Sequence, residues 1–155
     1  MGTKTTLRAA LRRTFYPYVE SLGFALDRSE EPRTATFRRR VGETVHVFEI
    51  CWSGASRFDL TFGETPASGG MVDGEHVGAE RVRVCSSQSM LALQRKRTGL
   101  QSGWFQLRRP FFQQLLAGKR DYAPEEVVGQ VIAWFPEVET WWLSKAVGPH
   151  LLAIR

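Results

Sequence analysis

The sequence predicts an α+β fold: an antiparallel sheet of about four strands, with N-terminal and C-terminal helices packed on one of its faces. Three observations carry this. Leu7, Leu11, Phe15, Val19 and Leu22 recur at helical spacing near the start of the chain. Residues 33–63 alternate apolar and polar side chains between turn formers, as paired strands do. Late in the chain Val127, Val128, Val131, Ile132 and Phe135 form a second helical stripe behind Pro124-Glu125-Glu126, a proline and two acids suited to a first turn.

In chain order, the first helix spans 5–22, with Thr5 or Thr6 as its cap and Gly23 as its stop. Pro17 removes an interior hydrogen bond and crowds the preceding turn, so a kink or a helix in two pieces is expected there. Gly42-Glu43 forms a two-residue hairpin turn that sets Val41 opposite Thr44, Phe37 opposite Phe48 and Ala35 opposite Ile50. A three-residue loop at 54–56 then sets Trp52 opposite Phe58, Ile50 opposite Leu60 and Phe48 opposite Phe62. Both registers place the same middle-strand residues on one face, which is what a meander with one buried face requires. The other face carries Thr36, Arg38, Arg40, Glu49, Arg57, Asp59 and Thr61, while Arg39 points to the apolar side.

Residues 64–80 hold Pro66, Gly69, Gly70, Gly74 and Gly78 and read as a long, mobile loop. Arg81 to Cys85 alternates like a fourth strand. Ser86 or Ser87 caps a helix through Met90, Leu91 and Leu93, with Gly99 past its end. Trp104 to Leu107 is a short extended or strand segment, and Pro110 opens a helix carrying Phe111, Phe112, Leu115 and Leu116. Pro136 breaks or restarts the last helix, Gly148-Pro149 ends it, and Leu151 to Ile154 is a small closing strand. Trp141 and Trp142 are adjacent, so one of them is expected to be only half buried.

A chain of 155 residues is one domain, 1–155, able to bury roughly 70% of its unfolded surface without staples. No apolar run is long enough to span a bilayer. Lys4, Arg8, Arg12 and Arg13 lead into no apolar stretch, which excludes a secretory signal and makes the cytoplasm the expected compartment. Cys51 and Cys85 lack metal-ligand spacing and are expected as buried thiols. His46, His76 and His150 have no second ligand at metal spacing. Without a nucleophile elbow, a phosphate-cradling glycine loop or an acid–base constellation, no catalytic residue, cofactor or metal is assigned, and the chain is not expected to be an enzyme.

Charge is segregated. Residues 41–80 hold seven acids and one base, whereas 81–120 hold nine bases and no acid. Such asymmetry marks a candidate interaction surface. Two groups of residues are candidates for it. Arg38, Arg40, Glu49, Arg57 and Asp59 lie on the polar sheet face, where Arg38, Glu49 and Asp59 form a cross-strand cluster. Arg81, Arg83, Arg95, Lys96, Arg97, Arg108 and Arg109 belong to the basic segment, with Trp104 and Phe105 near them in sequence. If the basic residues converge on one surface, a nucleic acid or other polyanion is the partner. If they divide among helix ends and the outer side of a strand, they are ordinary solvated or internally paired charges.

Several short segments carry a family resemblance. Leu22-Gly23-Phe24, Phe37-Arg38-Arg39, Phe48-Glu49-Ile50 and Phe58-Asp59-Leu60-Thr61-Phe62-Gly63, followed by Ser102-Gly103-Trp104-Phe105-Gln106-Leu107 and Pro124-Glu125-Glu126-Val127, resemble the bacterial family known as domain of unknown function 4304. The resemblance covers most of the chain; the glycine-rich 64–80 segment and the basic 81–120 block depart from it. It implies a small α+β domain and supplies no catalytic residue. It is compatible with an immunity-protein-like role. The expected function is a non-enzymatic binding module with a protein partner or a second copy of the chain. The alternatives are polyanion binding through 81–120, and a small-ligand protein or enzyme with a pocket between sheet and helices.

Overall fold

The computed structural model describes residues 3–27, 33–53, 56–95, 105–107, 115, 118 and 121–154. Within them the predicted α+β architecture is present: an antiparallel sheet with an N-terminal helical segment and a C-terminal helix against one face.

The first helical segment is continuous but not uniform. It comprises α1 (Thr3–Ala10), a π-helical turn (Leu11–Phe15) and α2 (Tyr16–Ser21). The expected caps Thr5 and Thr6 instead lie inside α1. Pro17 explains the π turn. The ring has no N–H and crowds the carbonyl four residues back. The chain widens instead of breaking, and the Tyr16 N–H reaches back to the Leu11 carbonyl. Gly23, at φ 95°, supplies the left-handed residue that ends α2.

The meander forms in the predicted register. Strand β1 (Ala25–Leu26) edges β2 (Thr34–Val41), which pairs with β3 (Thr44–Trp52), which pairs with β4 (Arg57–Pro66). Val41 faces Thr44, Phe37 faces Phe48, Ile50 faces Leu60 and Trp52 faces Phe58. Gly42 turns the first hairpin at φ 61°.

Beyond β4 the local reading needs correction. Residues 64–80 are not a long loop: β4 runs through Pro66, and β5 (Gly70–Val72) and β6 (Glu75–Val77) make a separate hairpin. Gly74, at φ 81°, follows Asp73, at φ 51°, in the turn of that hairpin, while Gly70 lies within β5. Residues 81–85 are not a strand. Two 3-10 turns, Ala79–Arg81 and Val84–Ser86, flank an extended Val82-Arg83. The alternation still held a signal, since Val82 and Val84 are buried while Arg81 and Arg83 are exposed.

The helix expected after Ser86 is instead β7 (Leu91–Leu93). Its serine cap and leucines satisfy local rules for a helix, but the outer edge of β4 needs hydrogen-bond partners, and tertiary pairing prevails. That edge is shared: β7 pairs with Leu60 to Phe62, and β8 (Phe105–Gln106) pairs with Arg57 and Phe58. The predicted closing strand is β9 (Leu151–Ala153), beside β7. Among the described residues the sheet thus has seven strands, of which β1, β7, β8 and β9 are only two or three residues long. The helix predicted from Pro110 lies outside the described residues, apart from an exposed Leu115.

The long C-terminal helix, α3 (Pro124–Ser144), does not break at Pro136. Pro136 is exposed, so the hydrogen bond it removes lies on the solvent side, while Val131, Phe135, Val138, Trp141 and Trp142 hold the other side in the core. The helix ends at Lys145, which adopts φ 61° and donates its N–H to the Trp141 carbonyl. Phe15, Phe48 and Phe135 meet edge-to-face at centroid separations of 5.3–6.0 Å in the centre of the core. Trp141 and Trp142 are both about 5% exposed, so neither is left half buried. Phe62 sits edge-on to both rings and lets adjacent residues share one core.

Candidate functional site

The polar sheet face is not an open surface. The 79–87 segment covers it, and Val45, Val47, Val82 and Val84 form a second, smaller apolar layer beneath. Glu49 is buried there, 3% exposed. It accepts hydrogen bonds from the Val84 N–H at 2.7 Å and Arg83 Nε at 2.8 Å. The expected cross-strand cluster does not form. Arg38 donates to Asp27 at 2.8 Å and to the Val82 carbonyl at 3.2 Å. Asp59 lies opposite Cys51, and burial pushes its carboxyl above the usual range. Arg40 and Arg57 are exposed and bond to nearby carbonyls, of Gly42 and Ser53.

The basic segment also fails to converge among the described residues. Arg81 is exposed, whereas Arg83 is tied to Glu49. Arg95, expected at an exposed helix end, is buried after β7. It donates to Gln130 Oε1 at 3.0 Å and lies 4.5 Å from the centre of the Tyr122 ring. Lys96, Arg97, Arg108, Arg109 and Trp104 lie outside the described residues. Cys51 is half buried, with its thiol pushed up chiefly by burial, but Cys85 is exposed rather than buried.

A different set of residues does converge. The meander registers align Arg39, His46 and Glu64 across β2, β3 and β4, on the face that carries Phe37, Phe48 and Phe62. These three residues occupy the end of the apolar row, next to the 41–44 hairpin. The last turns of α3 pass over them and enclose a groove of about 590 Å³. Its lining includes Val41, His46, Glu139, Trp142, Leu143 and Lys145.

The groove floor is a fixed set of polar contacts. The His46 ring stacks on Trp142, and Trp142 Nε1 donates to the Gly63 carbonyl at 2.9 Å. Arg39 contacts His46 Nδ1 at 2.9 Å and donates to Glu139 Oε2 and the Leu22 carbonyl, each at 3.0 Å. Its guanidinium also covers the Phe24 ring at 4.3 Å. Lys145 donates to Glu64 at 2.8 Å; the left-handed backbone that ends α3 lets the side chain turn back over Trp141. Both cations of the groove are therefore matched by acids.

These contacts fix the state of His46. Burial, then the charges of Arg39 and Lys145, lower its pKa to about 4, so the imidazole is neutral near pH 7. A guanidinium only donates, so Nδ1 must be the acceptor and Nε2 carries the hydrogen. The imidazole then presents an N–H donor rather than a basic lone pair. At the rim, Leu143 is 89% exposed and Val41 is 50% exposed.

Strand alternation alone places Arg39 on the apolar side. The registers already aligned Arg39, His46 and Glu64, and three ionisable residues at the end of a core-facing row were the available signal. Glu139, Leu143 and Lys145 carried no comparable signal. Among the described residues no group of three or more His, Cys, Asp or Glu is placed to hold a metal ion. No described helix is long and apolar enough to cross a membrane. Compared with protein-family models, curated proteins and solved structures, the chain matches none.

Proposed function

We propose that this chain is a non-enzymatic binding module of the cytoplasm, and that its partner is a protein presenting an apolar side chain to the groove between the 41–44 hairpin and the end of α3. The observation that carries this reading is the exposure of Leu143 and Val41 on either side of a floor whose charges are already paired. A charge-balanced floor gives little attraction to a polyanion. The apolar rim favours an apolar anchor, and the His46 Nε2–H can orient a carbonyl beside it. His46 speaks for binding over proton transfer, because its basic nitrogen is occupied and weakly basic. An immunity-protein-like role, with which the resemblance to domain of unknown function 4304 is compatible, fits this reading and is proposed with it.

The test is selection from a random peptide library on the purified chain, followed by calorimetry with single synthetic peptides. Selected peptides are expected to share a bulky apolar residue and to lose about tenfold or more in affinity to Leu143→Asp. They should bind normally to Leu152→Asp, which alters an exposed leucine on β9. A failure to select any peptide, or equal losses in both variants, would overturn the proposal. A small-ligand reading is the second choice, because the groove volume falls within the usual range for such sites.

A further inference from the structure

A second concavity, of about 490 Å³, lies on the outer side of the N-terminal helical segment and is lined by Arg8, Ala9, Arg12 and Arg13. The π turn helps to assemble it. In a regular α-helix Arg13 would stand roughly 140° around the axis from Arg8. The wider turn at Leu11–Phe15 reduces that offset and lets Arg12 and Arg13 border the same depression as Arg8. π turns recur at functional sites.

Arg8 is the unusual member. Its guanidinium lies over the Trp52 ring, 4.6 Å from the ring centre. Its Nε is buried and, like those of Arg38 and Arg39, has no hydrogen-bond partner among the described residues. Burial, then the neighbouring Arg12 charge, lowers the Arg8 pKa, which places the two cations within electrostatic reach. Arg13 pairs with Glu125 at 3.0 Å, and both side chains are largely exposed. Among the described residues one carboxylate, Glu125, pairs with the three guanidiniums, through Arg13, leaving an excess of positive charge.

We propose that Arg8, Arg12 and Arg13 form a binding site for a compact, multiply charged oxyanion of the phosphate class. The planar fork of Arg8, held over Trp52, would take two oxygens, and Arg12 and Arg13 would neutralise the remaining charge. This site is separate from the groove at the end of α3, and its test is independent of that proposal.

Inorganic pyrophosphate titrated into the full chain at constant ionic strength, followed by calorimetry and by Trp fluorescence, provides the test. Saturable one-to-one binding is expected. Arg8→Gln and, separately, Arg12→Gln should each weaken it about tenfold or more, while Arg40→Gln, at an exposed arginine elsewhere, leaves it unchanged. Arg8→Lys, which keeps the charge but lacks the planar fork, should recover only part of the affinity. Circular dichroism of Arg12→Gln, an exposed position, guards against a variant that fails to fold. Absence of saturable binding, or equal losses in Arg12→Gln and Arg40→Gln, would show general charge attraction and overturn the assignment.

Discussion

His46 lies flat against Trp142, with ring centroids 4.7 Å apart and planes within 3° of parallel. The stack joins β3 to the end of α3, and the Trp142 hydrogen bond to Gly63 extends the link to β4. The groove floor therefore rests on three elements that the core already fixes, which holds its donors in place before any partner arrives.

The first prediction concerns pH. His46 has its ordinary pKa of 6.5 when unfolded and about 4 in the fold. Between those values the unfolded chain binds more protons, so stability rises with pH. The contribution is complete above about pH 6.5 and is lost as the pH falls through about 4, amounting to about 3 kcal/mol. Urea titrations from pH 7 to pH 4 should show a smaller stability loss in His46→Gln than in the unaltered chain. Parallel curves would show that His46 titrates normally in the fold.

Glu49 gives a second prediction. Glu49→Ala removes the acceptor for the Val84 N–H and the partner of Arg83 and should cost about 3 kcal/mol. Glu49→Gln keeps an acceptor oxygen and should cost less. Chemical denaturation distinguishes the two, and equal losses would mean that the 82–84 segment requires the negative charge and that a neutral acceptor oxygen in its place contributes nothing.

Gly63 tests the packing behind the groove. A Cβ there would collide with the Ser89 carbonyl and the Ser87 hydroxyl, and the Ser89 contact is backbone that cannot simply rotate away. Gly63→Ala should destabilise the fold by about 3 kcal/mol, although its own backbone angles suit alanine. A variant with unchanged thermal stability would show that the 87–89 segment yields easily.

The two thiols should react at different rates. Cys85 is exposed, while Cys51 is half buried and its thiol is pushed up. Titration with a thiol reagent near pH 8 should give a fast and a slow phase, with Cys85→Ser removing the fast one. A single phase, or loss of the slow one in that variant, would reverse the assignment.

The sequence carried the meander because two independent turns agreed on the register of β3, and a slip of one residue would have exposed the whole Phe48 row. The stripes of the first helix and α3 were equally legible. What misled was local preference. Ser86, Ser87 and Leu91 favour a helix by composition, yet the open edge of β4 recruits Leu91–Leu93 as a strand. Pro136 reads as a break, but the core-facing residues on either side of it keep α3 whole. The candidate site was missed for a related reason. Acid–base pattern drew attention to the exposed sheet face and to the basic segment, whereas burial of Glu49 and Arg95 shows that many of those charges serve the fold. The groove residues come from opposite ends of the chain, and only the packing of α3 over β2–β4 brings Glu139 and Lys145 to Arg39 and Glu64.

The central claim, that the groove is the contact surface, is tested most directly by nuclear magnetic resonance of the chain as a selected peptide is added. The Trp142 indole N–H and the amides of 41–46 and 139–145 should shift together and saturate at one-to-one. Shifts confined to the basic segment or to β9, with the Trp142 indole unmoved, would contradict it.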